Sequence, residues 1–285
     1  MLSSGPLIKT AIVFLTTAAV VCVPGQVATA ESQDGWVSLF NGRDLKGWDI
    51  WLGVPRGKKQ PIGLNNDAKG VFTVVEEEGR PAIRISGEIP GAITTKEELE
   101  NYHLRVEFKW GEINWRPNFP RDGGLLFHCV GPHGVQGGAW MESLECEVMA
   151  GHCGDFYSVF GPSADIEVAP DSKRLAYYGN HAFRVYQKGG ERITVGKNRR
   201  ILIGTDYEKP AGQWNTVEYL TVGGDSVYLV NGQITMVVRN VRRIVDGQEV
   251  PLTRGKLQVI SELSELFYRT IEMRPLKAIP ESYLH

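Results

Sequence analysis

Over residues 102–110 every second side chain is apolar: Tyr102, Leu104, Val106, Phe108 and Trp110 alternate with His103, Arg105, Glu107 and Lys109. Strand side chains repeat every two residues, so this run predicts a strand with one face in a core and a charged face turned away. Shorter runs at 71–75, 82–85, 183–186, 216–220, 226–230, 234–238, 256–260 and 267–273 are mostly β-branched or aromatic and bounded by Gly or Pro, and they read as further strands. Asn231-Gly232 between two of them predicts a two-residue hairpin, because both central residues need positive φ. Helical periodicity is confined to one expected turn at 96–100, capped by Thr94 or Thr95. Many short strands and few helices predict an all-β, two-sheet jelly-roll sandwich, whose curved sheet can carry a carbohydrate.

Two more strand-like runs, 125–130 and 144–149, lie in the segment richest in reactive groups. Between Arg121 and Asp155 stand three histidines, three cysteines, five carboxylates and Trp140. Alternation places His128 on the face of Leu126 and makes Glu145 and Glu147 point together. A solvated surface strand is the ordinary reading of one Glu-x-Glu pair; the crowding of His, Glu, Asp and Trp favours an active face. Trp140, after a Gly-rich loop, is the candidate for stacking on a sugar. Asp122, followed by two glycines, reads as a turn anchor.

The first thirty residues carry one positive charge, Lys9, an apolar stretch over 11–23 and a small-x-small ending at Ala28-Thr29-Ala30. This is the pattern of a signal peptide cleaved after Ala30 and predicts an exported protein, periplasmic or extracellular. A membrane anchor is the alternative, against which stands an apolar core shorter than the ~20 residues of a spanning helix. A lipoprotein would use Cys22, but Val21 sits where a small residue is wanted. Residues 31–285 read as one domain, since no linker or repeat interrupts them. Processing takes the formal charge from −2 to about −3, and with no basic stripe nucleic acid is not an expected partner. Export permits disulfides: Cys129 and Cys153 are the expected pair, with Cys146 a buried thiol. A Cys/His zinc site is the alternative, although no C-x-x-C pair occurs.

The run Gly35-Trp36-Val37-Ser38-Leu39-Phe40-Asn41-Gly42-Arg43-Asp44-Leu45-Lys46-Gly47-Trp48 resembles the opening of the exported bacterial 3-keto-disaccharide hydrolase family, formerly a domain of unknown function. The resemblance continues through 101–111, 121–128, 140–156 and 212–216, and closes at 267–276. It implies a concanavalin A-like lectin/glucanase fold and action on sugars already oxidised to a ketone at C3. Two positions depart from the family pattern: Asp122-Gly123-Gly124 replaces Asp-Ser-Gly, and Glu145-Cys146-Glu147 replaces Glu-Cys-Gln, adding a negative charge to the site.

A 3-keto group acidifies the C2 hydrogen, so a base can form an enolate that expels the oxygen on C1; hydration of the enone completes a net hydrolysis. Such a reaction needs a base, a group that holds the enolate charge and an acid for the leaving group. His128 and Glu145 are the expected proton-transfer residues, and Lys109 or Arg105 the expected enolate stabiliser. Trp140, Arg105, Glu107 and Arg121 are expected to bind substrate. A divalent cation (Ca²⁺, Mn²⁺ or Zn²⁺) on Glu145, Glu147 and Asp155, with His128 near, is the alternative way to hold the charge. Repulsion between the two glutamates, raising one pKa, is equally consistent with the spacing. No nucleotide-binding unit is present, so no organic cofactor is expected and a separate sugar 3-dehydrogenase should supply the ketone. The rival readings are a retaining glycosidase, which wants two carboxyls ~5–5.5 Å apart, and a non-catalytic carbohydrate-binding module.

Overall fold

The computed structural model describes residues 35–171, 173–175 and 182–284. The expected signal segment, its cleavage site and Cys22 lie outside the described residues. Two antiparallel sheets face each other, as the alternating runs predict. The first has Glu191–Gly196 at one edge, then Ser163–Val168, Gln233–Val245, Asp225–Val230, Asn215–Val222, Tyr102–Asn114, Ser264–Pro275, Arg80–Ile85 and Phe72–Glu77. The second runs from Arg200–Ile201 through Phe156–Val159, Glu142–Met149, Asp122–Val130, Arg254–Ser261, Gly91–Thr95 and Trp48–Leu52 to Gly63–Leu64. This is an all-β sandwich; neighbours in each sheet are mostly distant in sequence.

The core lies between the sheets. Leu104, Val106 and Phe108 enter it from the first sheet, and Leu125, Phe127, Leu144, Cys146 and Val148 from the second. Phe127 packs on Tyr219 with ring centroids 3.9 Å apart. Burying each such side chain is worth roughly 1.5–3 kcal/mol. A smaller apolar cluster, Ala92, Leu126, Cys129, Met141, Val159 and Ile260, covers the opposite face of the second sheet with Trp140 and Tyr157. The hairpin at Asn231-Gly232 forms with φ of 50° and 78°. Among the described residues no helix is long and apolar enough to cross a membrane.

Four expectations need correction. Residues 96–100 are not helical: Thr95 ends the strand Gly91–Thr95, its hydroxyl bonds to the Glu97 carbonyl at 2.9 Å, and Leu99–Glu100 pairs with Arg254 and Gly255. Local caps lose there to ladder hydrogen bonds.

His128 does not share a face with Leu126. Between Phe127 and Val130 the strand holds one residue more than either neighbour, so the register slips against both Glu142–Met149 and Arg254–Ser261. His128 takes φ 51° at this bulge, which reverses the alternation beyond it. Its ring therefore turns into the core, edge-on to Phe127 and 3.2 Å from the Thr221 hydroxyl of the other sheet. The bulge also separates the expected disulfide partners: Cys129 joins the outer cluster and Cys153 the core, and both are free, as is Cys146. The fourth correction concerns the charged face of the strand Tyr102–Asn114, which belongs to the sheet that does not carry Glu145.

Candidate functional site

One register row crosses the outer face of the second sheet: Arg200 opposite Tyr157, Tyr157 opposite Glu145, Glu145 opposite Leu126, Leu126 opposite Gln258, and Gln258 opposite Thr94. Directly opposed side chains are close neighbours on a sheet face. Around this row lies a cavity of about 350 Å³ whose walls include Glu145, Glu147, Tyr157, Arg200, Glu262 and Trp140. The alternation that makes Leu144, Cys146 and Val148 core residues sends Glu145 and Glu147 outward together, as the sequence predicts.

Glu145 is 6% exposed, and its Oε1 has no hydrogen-bond partner. The carboxyl leans across Gly124 on the neighbouring strand, so closely that a Cβ there would lie 2.0 Å from Oε1. Burial pushes its pKa up to about 8; Arg200 pulls the other way and the charge of Asp122 adds to the rise. A buried carboxyl without a full hydrogen-bond complement binds its proton more tightly.

Glu147 meets the Arg200 guanidinium directly, and that guanidinium also reaches Asp155 Oδ2 at 3.3 Å. Asp155 is held by the Ile203 N–H at 2.6 Å and lies 3.1 Å from His152 Nδ1. Asp122, buried and hydrogen-bonded to Glu147, has its pKa raised by burial, with Arg116 and Arg200 opposing. The charge added by Glu147 is thus matched by Arg200, which comes from a short edge strand 53 residues later. Nothing in the spacing of the Glu-x-Glu motif announces that partner. Glu262, Tyr157 and Arg200 also line the pocket and were not expected from the sequence; strand register places Tyr157 and Arg200 there, and the turn after Ser261 places Glu262.

Trp140 lines the pocket as expected, with its indole N–H unpartnered. The other expected site residues are elsewhere. His128 is fully buried on the core side, where burial lowers its pKa to about 4 and keeps it neutral. Lys109 is clasped by Glu77 and Glu78, Arg105 pairs with Glu272 beneath Trp36, and Glu107 binds Arg269 and Thr270. All three lie on the outer face of the first sheet, across the core from Glu145. Arg121 lines a separate depression with Trp110, Asp206 and Glu208.

The expected cation set does not fit this arrangement. Glu147 and Asp155 are both engaged by the Arg200 guanidinium, which would have to leave before they could share a cation. Among the described residues no three His, Cys, Asp or Glu side chains converge as metal ligands.

A β-sandwich with a buried, proton-holding carboxyl at the floor of an aromatic-walled pocket is the class defined by fold and site. The 3-keto-alpha-glucoside-1,2-lyase-like domain model matches residues 35–274, and the chain belongs to that family. Among curated proteins none gives a significant match. Solved structures that resemble it include a Parabacteroides distasonis protein described as a candidate glycosyl hydrolase. That chain is 17% identical, with 85% of this chain and 99% of that one covered and a TM-score of 0.48. Another is carbohydrate-binding module CBM66 from Bacillus subtilis, at 9% identity, 71% and 91% coverage and a TM-score of 0.40.

Proposed function

We propose that the protein cleaves 3-keto-glycosides by elimination, with Glu145 as the base that removes the C2 proton. The observation that carries this reading is that Glu145 lines the pocket while its buried Oε1 is unpartnered and its pKa lies near 8. A base working close to neutral pH has the highest product of ionised fraction and basicity. The family supplies the sugar chemistry. In the reaction the C2–H bond breaks and its proton passes to Glu145 while its electrons form the C2=C3 enolate. The enolate then collapses to the enone as the C1–O bond breaks and the aglycone leaves. Water added to the enone gives net hydrolysis.

Arg200, fixed by Glu147 and Asp155, keeps positive charge beside the site and supports the enolate more readily than a divalent cation on the same carboxylates. Trp140, on the pocket wall, offers its ring for stacking. The ketone itself must come from an oxidoreductase acting earlier, and the leader-like N-terminus supports work outside the cytoplasm. The test is isotopic: a 3-keto-glucoside deuterated at C2 should turn over several-fold more slowly than the protiated one. Equal rates at saturating and limiting substrate, with proton transfer not masked by product release, would remove Glu145 from its role.

A further inference from the structure

Proton removal at C2 leaves the departing oxygen to be protonated, which needs a second acidic group in the pocket. Glu262 is the second pocket-lining carboxyl free of a direct arginine pair; Glu147, the remaining one, is tied to Arg200. Gln258 and Ile260 share the outer face of the strand Arg254–Ser261, and Glu262, one residue past its end, joins Ile260 and Leu126 in the pocket wall. Its position is fixed from both sides. The Ser261 hydroxyl donates to the Ile89 carbonyl at 2.8 Å, and the Ser264 hydroxyl accepts from the Asp122 N–H at 2.9 Å. Leu263 between them has φ 62°, and its carbonyl takes the Trp115 N–H at 2.9 Å. This turn carries the chain from one sheet to the other and projects Glu262 from a braced corner.

We propose, resting on the elimination reading, that Glu262 is the acid that protonates the glycosidic oxygen as the C1–O bond breaks. Burial raises its pKa well above the usual carboxylate value, the charges of Asp122 and Glu145 add to this, and Arg116 and Arg200 oppose it. In the proposed cycle Glu262 starts protonated, gives its proton to the aglycone oxygen and becomes a carboxylate. Glu145 leaves the cycle carrying the C2 proton, and transfer of that proton to Glu262 through water resets both groups. Protons balance without another donor.

The experiment compares two 3-keto-glucosides, one with a 4-nitrophenyl leaving group, which departs unprotonated, and one with a methyl group, which cannot. Glu262→Gln should slow the methyl substrate at least ~10²-fold and the nitrophenyl substrate only a few-fold, and should remove the alkaline limb of the kcat/KM profile. Glu145→Gln should slow both alike. Melting temperature and competition by the sugar product check that the variants fold and bind; Glu262→Asp, which retains a proton, should recover part of the methyl rate. Equal losses on both substrates in Glu262→Gln, or none, would overturn the assignment while leaving the elimination intact. A wild-type protein inert to both substrates would instead remove the elimination reading, and Glu262's role with it.

Discussion

Glu145 has left water without acquiring a partner for Oε1, and its carboxyl contributes directly to the pH behaviour of the protein. Its folded pKa, about 8, lies above its unfolded value near ~4.3. The proton it holds when folded stabilises the protein fully below the unfolded pKa, and this contribution is lost as pH rises through the folded one. Melting temperature should therefore fall between about pH 5 and 8, and Glu145→Gln should make that slope shallower, with the other carboxyls raised by burial accounting for the remainder. Over the same range kcat/KM for a keto-glycoside should rise as Glu145 ionises, and Glu145→Gln should cost ~10²–10⁴-fold. Gly124 makes the geometry possible, because any Cβ there meets the carboxyl. Gly124→Ala should keep the fold yet lower kcat more than ~10-fold by displacing Glu145, a loss of the kind small misplacements cause. Activity unchanged in that variant would mean that the carboxyl's present position is not the working one.

Among the strands, the alternation of residues 102–110 and the Asn-Gly hairpin were readable because each depends on neighbouring residues alone. The same reasoning placed Glu145 and Glu147 on one face. It failed at His128 because one extra residue between Phe127 and Val130 reverses the face of everything beyond it, and no local composition marks that bulge. His128→Ala should accordingly cost roughly 1–3 kcal/mol of stability through lost core packing while leaving kcat within a few-fold, measured by urea unfolding and by turnover. Arg200 was invisible for another reason: its partners Glu147 and Asp155 lie 53 and 45 residues away, and only the pairing of Phe156–Val159 with Arg200–Ile201 brings them together. Replacing it by Met strands two buried carboxylates. Arg200→Met should therefore destabilise by about 3–5 kcal/mol, read from the same unfolding curves.

On the scale of the molecule, the sandwich divides the charged residues between two outer faces. Strand periodicity says which side chains share a face but not which sheet owns the strand, so Lys109, Arg105 and Glu107 looked equivalent to Glu145 in the sequence. The sheets of such a sandwich stand ~10 Å apart with the core between them, which leaves those three charged side chains no access to a sugar held over Glu145. The proposed catalytic parts therefore gather at the second sheet, where Glu145, Glu262, Arg200, Tyr157 and Trp140 line one cavity. The most direct test is to incubate the protein with a 3-keto-glucoside and with its unoxidised parent, each with and without EDTA, and to follow aglycone release. Cleavage confined to the keto form and indifferent to EDTA is the predicted result. Cleavage of the parent sugar, or activity that EDTA abolishes and a divalent cation restores, would contradict the account.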